Sequence, residues 1–265
     1  MVYGSFTTKT VLSYEIYLGA ISIYATIGVC MDKKYSTNFS SFYTKIMQNN
    51  LWVKTIYFNC FDTWLQIQDK QNWAPDLIKA LNVDAKKIRD SLLMTNKSLR
   101  EAIHELMPYV FEPTPVIHKI QAIEAAEQAI AHEIASVVLK SGVAETMQEL
   151  KRRWYGIGIV SNLSKDYVSV VQEKSPIVFD HHLYSCELWL KKTVTNNEYR
   201  IYQQAQQLTG LKKREIVMIG DHYDNDYKAA VDYGINAIHM DRSKTNKAPH
   251  GQRVYSMEEL LEIFR

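Results

Sequence analysis

The chain has 265 residues, a length that accommodates one sizeable α/β core and a smaller inserted unit. A net charge of +2, with no basic run, excludes an extended nucleic-acid-binding surface. Apolar residues make up 46% and charged residues 23%, proportions typical of a soluble globular protein.

Three cysteines, Cys30, Cys60 and Cys186, lie far apart in the sequence. Their odd number and their spacing indicate neither a zinc site nor a disulfide framework. We therefore expect a cytoplasmic protein, because thiols stay reduced in that compartment.

Residues 1–50 form a separate N-terminal segment, which we interpret as a helical extension of unassigned role. The stretch Ile16 to Met31 is uncharged and fairly apolar, but its 16 residues fall short of the roughly 20 needed to cross a bilayer. A buried helix or helical hairpin is the favoured interpretation. A membrane anchor or a signal peptide is the alternative, with membrane contact through residues 12–31.

Residues 52–140 begin with a strand and continue as helices. The stretch Trp52 to Phe58 is rich in β-branched and aromatic residues and predicts a short buried strand. From about Pro75 to Lys140 the apolar spacing is helical, and no strand signal interrupts it. We therefore predict a compact helical unit over residues 68–140.

Capping residues mark where these helices begin. Asp84 is placed to cap one helix, and Ser98 with Glu101 forms a capping box for the next. A long helix is predicted to open at Thr114-Pro115, because proline is tolerated at the first helical position. The apolar face of this helix is formed by Ile117, Ile120, Ile123, Ile130, Ile134 and Val138.

After Gly142, helices and strands alternate. Buried strands are predicted at Gly156–Val160, Glu215–Ile219 and Asn236–Met240. The predicted helices are Val143 to Trp154, one capped by Ser164, Asn197 to Leu208, Asn225 to Tyr233 with Gly234 after it, and a terminal helix capped by Ser256 and Glu259. Such alternation predicts a parallel sheet with right-handed crossovers.

Three of the predicted strands run directly into polar residues. These polar stretches are Asn59 to Thr63, Ser161-Asn162, and Asp221 to Asp226. In parallel sheets, ligands gather at the carboxyl ends of the strands. We therefore predict a functional site where these three stretches meet.

Four short segments carry the candidate site residues. In chain order they are Phe58-Asn59-Cys60-Phe61-Asp62-Thr63-Trp64-Leu65, Gly158-Ile-Val-Ser161-Asn162, Ser185-Cys-Glu-Leu-Trp-Leu-Lys191-Lys192, and Ile219-Gly220-Asp221-His-Tyr-Asp-Asn-Asp226. Taken together, with a helical insertion after the first, they resemble the four motifs of the haloacid dehalogenase superfamily of phosphatases and related hydrolases. The resemblance covers Leu51 to the C-terminus.

The resemblance implies an α/β three-layer sandwich with a parallel, Rossmann-like sheet. Residues 51–67 and 141–265 would form the core, and residues 68–140 would form an inserted helical cap. Such a cap usually closes over the site and excludes water.

The resemblance also implies a role for each site residue. The catalytic positions are Asn59, Phe61, Thr63, Ser161 and Lys192. The phosphoryl group would be held by Ser161, Asn162 and Lys192, with Lys191 as the fallback for the lysine. Mg²⁺ would be held by Asn59, the carbonyl of Phe61, Asp221 and Asp226.

Two positions depart from the family pattern. Thr63 fixes the register, so that Asn59 replaces the nucleophilic aspartate and Phe61 replaces the usual acid/base aspartate. Dehalogenase-like members also carry an aromatic residue at the second position, but they keep the nucleophile. Losing a covalent nucleophile raises the barrier by roughly 4–8 kcal/mol, and losing the proton donor lowers the rate by about 10²–10⁴-fold.

Three functions are compatible with these residues. The first is a catalytically impaired member that binds a small phosphorylated molecule or a partner protein. The second is an active hydrolase of phosphate esters, in which Asn59 is a tolerated or engineered change. The third is a structural or membrane-peripheral interaction protein that acts through its first fifty residues.

Each feature also has an interpretation that involves no chemistry. Asn59 is a residue type common in turns after strands, and Asp221 with Asp226 would be favourable at a helix N-terminus. Lys191-Lys192 would then be a solvated pair. Cys60 is not expected to replace the nucleophile, because the register places its side chain on the other side of the loop. No matching ligand set accompanies the histidines His181, His182 and His222.

Overall fold

A computed structural model describes residues 52–107, 115–192 and 199–265. The predictions for residues 1–50, including Cys30 and the stretch 12–31, lie outside the described residues. The same holds for Thr114 and Asn197, at which two helices were predicted to begin. Among the described residues, no helix is both long and apolar enough to cross a membrane.

Six of the strands in the described ranges form one sheet, in which every neighbouring pair is parallel. The strands are β1 (Thr55–Phe58), β2 (Leu65–Ile67), β3 (Val137–Leu139), β4 (Gly156–Ser161), β5 (His181–Tyr184), β6 (Ile216–Gly220), β7 (Asn236–Met240) and β8 (Arg253–Val254). The order across the sheet is β5-β4-β1-β6-β7-β8, while β2 and β3 form a separate pair. The predicted parallel sheet is confirmed.

Ten α-helices lie in the described ranges. They are α1 (Trp73–Leu81), α2 (Ala85–Leu93), α3 (Leu99–Leu106), α4 (Val116–Ala135), α5 (Val143–Arg152), α6 (Val168–Glu173), α7 (Ser185–Leu188), α8 (Arg200–Thr209), α9 (Ala229–Tyr233) and α10 (Leu260–Ile263). A π-helical turn, Tyr223–Lys228, leads into α9.

Helices pack on both faces of the sheet because its central strands are apolar on both faces. All four residues of β1 are buried. Ile56 and Phe58 belong to the apolar cluster that includes Met147 of α5, whereas Tyr57 belongs to the cluster that includes Ala205 of α8. The predicted three-layer arrangement is therefore confirmed, with the two cores separated by the sheet.

The helices α1 to α4 are inserted between the strands of the antiparallel pair. In this pair, Leu65 of β2 lies opposite Leu139 of β3, and Ile67 lies opposite Val137. The two connections between the core and the four helices therefore lie side by side, in β2 and β3. β2 directly follows the loop that carries Asn59.

The prediction that residues 75–140 are helical throughout is wrong at its end. α4 stops at Ala135, and Val137–Leu139 is a strand. β-Branched residues suit a pleated surface, and pairing with β2 supplies that surface from a distant part of the chain. In addition, Ile117 and Ile120 are 56% and 43% exposed, so they do not lie on a buried face of the helix.

Two of the predicted caps are confirmed. Asp84 accepts hydrogen bonds from two backbone N–H groups of α2, and Ser98 with Glu101 forms the capping box of α3. Ser164 stands before a 3-10 turn but makes no side-chain capping bond. The predicted cap at Ser256 is wrong, because α10 begins four residues later, at Leu260.

Besides β2 and β3, two strands of the six-stranded sheet were not predicted. β5 contains the adjacent His181 and His182, which do not indicate a buried strand, and β8 has only two residues. Both lie at the edges of the sheet, where a strand pairs with a neighbouring strand on one side only.

Candidate functional site

Three strand ends bring the predicted site residues together at one edge of the sheet. Phe58, at the end of β1, lies opposite Ile159 of β4 and Ile219 of β6. Asn59 follows Phe58 and donates its backbone N–H to the carbonyl of Ile219 at 2.8 Å. Hydrogen bonds connect the side chains of Asn59, Thr63, Ser161, Lys192, Asp221 and Asp226, which we call the strand-end network.

The amide of Asn59 is the centre of the strand-end network. Its Oδ1 accepts hydrogen bonds from the Ser161 hydroxyl at 3.0 Å and from the Lys192 ammonium at 2.8 Å. Its Nδ2 donates to the backbone carbonyl of Phe61 at 3.0 Å and to Oδ1 of Asp221 at 2.9 Å. An ammonium only donates and a carboxylate only accepts. The amide oxygen must therefore face Lys192, and the amide nitrogen must face Asp221.

Asp221 is held at both its side chain and its backbone. Its Oδ1 accepts a second hydrogen bond, from the Thr63 hydroxyl at 2.8 Å, and its carbonyl lies 2.9 Å from Nε2 of His239. A carbonyl oxygen only accepts, so Nε2 of His239 carries the proton. Sequence reasoning missed this buried histidine, and its only signal was a polar residue inside the predicted strand β7.

Lys192 and Asp226 form a buried ion pair beneath the amide. Their side chains are 3% and 0% exposed. Asp226 also accepts the backbone N–H of His222 at 3.0 Å. Burial raises the pKa of Asp226 above its ordinary value, although the charge of Lys192 acts in the opposite direction. A Cβ atom added at Gly220 would lie 2.2 Å from Oδ2 of Asp226, so the close approach of this carboxylate requires glycine.

Lys192, and not the fallback Lys191, reaches the strand-end network. Lys191 instead forms an ion pair with Asp90 of α2 at 2.5 Å. Asn162 uses its side-chain oxygen to accept the backbone N–H of Lys192 at 2.9 Å. The contact of Asn162 with a phosphoryl group stays a prediction, but its side chain already orients the lysine.

Phe61 contributes its backbone carbonyl to the network, while its ring points elsewhere. The ring packs edge-on against Tyr167, with centroids 5.5 Å apart and an interplanar angle of 80°. Cys60 is fully buried, and burial raises the pKa of its thiol to about 12. Since the thiolate is the nucleophilic form, the thiol of Cys60 is not expected to act as a nucleophile at neutral pH.

A largely apolar cavity of about 490 Å³ adjoins the strand-end network. Phe61 and Asn162, which belong to the loops around Asn59, form part of its wall. Other lining residues come from α1 and α2 and include Ile78, Ile88 and Leu92. The six side chains of the network do not themselves line the cavity, whose charged lining residues are Lys70 and Arg89.

A divalent metal does not fit the donors as they are arranged. Two of the oxygens assigned to Mg²⁺ by the resemblance, the Phe61 carbonyl and Asp221 Oδ1, accept hydrogen bonds from the Asn59 amide. Asp226, the third, is paired with Lys192. Within the described residues, no group of three or more His, Cys, Asp or Glu side chains is placed to hold a metal ion.

Comparison with known proteins gives a family match over much of the chain. The sequence model of a family described as haloacid dehalogenase-like hydrolase matches residues 68–240, which is more than half of the chain. No curated protein matches the sequence.

Solved structures share the fold at low sequence identity. A predicted phosphoglycolate phosphatase from Haemophilus somnus 129PT has a TM-score of 0.54 and 16% identity, over 81% of this chain and 99% of that chain. A dehalogenase crystallised with an intermediate complex has a TM-score of 0.52 and 18% identity, over 80% and 97%. A 2-haloacid dehalogenase from Pseudomonas syringae pv. Tomato DC3000 has a TM-score of 0.51 and 16% identity, over 80% and 97%.

Proposed function

The chain belongs to the family of haloacid dehalogenase-like hydrolases, and from that premise we propose that it binds a phosphorylated small molecule at the strand-end network without hydrolysing it. The observation that carries this proposal is the place of the Asn59 amide. It lies among Ser161, Lys192 and Asp221, where the family's motifs require a nucleophilic carboxylate.

An amide at this position cannot attack phosphorus. The oxygen of Asn59 is neutral, and both of its lone pairs accept hydrogen bonds, from Ser161 and from Lys192. The nitrogen lone pair is delocalised, and both N–H groups are used. Attack would also need a proton donor for the leaving group, and Phe61 has none. Together these losses lower the rate by many powers of ten.

Anion binding needs only groups that are still present. The Lys192 ammonium has three N–H groups, and Asn59 and Asp226 use two of them. The hydroxyl of Ser161 can rotate from Asn59 towards an incoming oxygen. Charge-assisted hydrogen bonds to phosphate are among the stronger polar contacts, and a buried lysine that is already oriented loses little side-chain entropy when it makes one.

The adjoining cavity favours a ligand with an apolar body. Its volume of about 490 Å³ lies within the range of small-molecule sites. Phe61 and Ile88 line it, while Asn162 connects it to the network. We therefore expect a phosphomonoester with an aromatic or aliphatic group, and this expectation favours a small molecule over a partner protein.

The proposal is tested by measuring hydrolysis of p-nitrophenyl phosphate with Mg²⁺ present. The unmodified chain is expected to release no more p-nitrophenol than its Ser161→Ala variant. Asn59→Asp is expected to gain turnover. With an alkyl phosphate, whose leaving group must be protonated, it is expected to stay about 10²–10⁴-fold below full activity, because Phe61 still supplies no proton.

One result would overturn the proposal and support an active hydrolase instead. This is turnover by the unmodified chain that Ser161→Ala and Lys192→Met both abolish. Lys191→Met is the matched control, since the neighbouring lysine pairs with Asp90 and lies outside the network.

A further inference from the structure

We propose that the Asn59 amide takes the place of a divalent cation, so that this site binds its anion without metal. This inference rests on the proposed function only in taking the ligand to be an anion; the absence of a metal is argued separately. The amide nitrogen of Asn59 occupies the oxygens that a metal would need, whereas the proposed function depends on the inability of the amide oxygen to attack phosphorus.

The amide nitrogen bonds to the oxygens that a cation would need. The Phe61 carbonyl and Asp221 Oδ1 receive the two N–H groups of Nδ2 at 3.0 and 2.9 Å. Mg²⁺ would require oxygen ligands at about 2.0–2.1 Å in near-octahedral geometry. The NH₂ group of Asn59 carries partial positive charge and donates hydrogen bonds to these two oxygens. Its distances to them are about 1 Å longer than Mg²⁺–oxygen distances.

Turning the amide round to offer its oxygen to a metal is unfavourable. Rotation by half a turn would direct an N–H group of Asn59 at the Lys192 ammonium, which now donates to Oδ1. Two donors would then face each other, and this contact is repulsive whether or not a cation lies on the other side of the amide. Lys192 is itself fixed by its buried pair with Asp226 and by the bond from its backbone to Asn162. The orientation of the amide is thus maintained by Lys192 and by the two groups that hold Lys192 in place.

Asparagine at position 59 lowers the negative charge that an incoming anion would meet. Two carboxylates, Asp221 and Asp226, and one ammonium, Lys192, leave one net negative charge in the network. A carboxylate at position 59 would add a second negative charge next to Asp221, and an anionic ligand would then need a cation to offset the repulsion. With asparagine at position 59, the network carries one excess negative charge instead of two.

The test is a pair of calorimetric titrations on the unmodified chain and on Asn59→Asp. In the first, Mg²⁺ alone is added. The unmodified chain is expected to bind no Mg²⁺ at this site, whereas Asn59→Asp is expected to bind it and to lose that binding when Asp221→Asn is added. In the second, inorganic phosphate is added with EDTA or with Mg²⁺.

The expected phosphate affinities differ between the two proteins. The unmodified chain should bind phosphate with the same dissociation constant in EDTA and in Mg²⁺, to within about twofold. Asn59→Asp should bind it at least about tenfold more weakly in EDTA than in Mg²⁺, because of the added like charge.

The two proposals fail in different ways. Mg²⁺ binding by the unmodified chain that Asp221→Asn abolishes would overturn the metal-free site, whatever phosphate does. Absence of phosphate binding to the unmodified chain under both conditions would overturn the proposed function, while the Mg²⁺ titration would still decide the role of the amide. The titrations of the unmodified chain and of Asp221→Asn do not depend on Asn59→Asp, so the inference stays testable if Asn59→Asp does not fold.

Discussion

Replacing Lys192 by methionine tests whether the strand-end network is as buried as the structure indicates. The substitution keeps a long, unbranched side chain but removes the charge. Asp226, with a side chain that is 0% exposed, would lose its ion-pair partner while its backbone contact with His222 remained. Breaking a buried pair in this way costs about 3–5 kcal/mol, because an uncompensated charge stays in the interior.

For a chain of this size that loss corresponds to a melting temperature lowered by roughly 6–20 °C. Lys191→Met is the matched control, because Lys191 pairs with Asp90 where both side chains are partly exposed. The control should cost no more than about 1 kcal/mol. Urea unfolding followed by circular dichroism measures both variants.

The pH dependence supplies a second check. Burial already raises the pKa of Asp226, and loss of Lys192 raises it further. A carboxyl group with a raised pKa in the folded state stabilises that state at low pH, and this contribution is lost as the pH rises through that pKa. The deficit of Lys192→Met should therefore be large at neutral pH and shrink towards about pH 4, near the carboxyl pKa of the unfolded chain.

Two results would refute this reasoning. One is a cost below about 1 kcal/mol at neutral pH, which is typical of an exposed pair. The other is a deficit that does not change with pH, since a merely steric effect would not titrate.

Other predictions follow from neighbouring contacts. Gly220→Ala should destabilise the fold by about 1–3 kcal/mol, since the new Cβ would lie 2.2 Å from Oδ2 of Asp226; thermal unfolding measures this, and an unchanged melting temperature would contradict it. Cys60 should resist alkylation by iodoacetamide at neutral pH, because burial raises its pKa to about 12; rapid labelling seen by mass spectrometry would show an open site. His239→Phe should weaken phosphate binding in calorimetry while the fold persists, because the carbonyl of Asp221 would lose its donor; unchanged affinity would remove the positioning role of His239.

The central strands and the composition of the site could be predicted from local signals. β7 has the bounds predicted for it, Asn236 and Met240. The spacing of Thr63 from Asn59 predicted that both residues contribute to one site, and in the structure both side chains bond to Asp221. A run of apolar residues followed at once by polar residues predicts both a buried strand and the site residues at its end, and this pattern spans only a few positions of the sequence.

The remaining features depend on contacts between distant parts of the chain. Val137–Leu139 has a helical apolar spacing but pairs with β2, some seventy residues earlier in the chain, so tertiary pairing overrides the periodic pattern. The direction of the Asn59 amide is determined by Lys192, and no local pattern reveals which end of an amide meets which partner. His239 acts through a backbone carbonyl, a contact that leaves no mark in the sequence.

Phosphorus NMR of phenyl phosphate mixed with the unmodified chain tests the central claim most directly, because one spectrum reports both binding and hydrolysis. We predict a phenyl phosphate resonance that shifts or broadens with added protein, does so less with Lys192→Met, and keeps its intensity over time. Growth of an inorganic phosphate resonance that depends on Ser161 and Lys192 would contradict the claim.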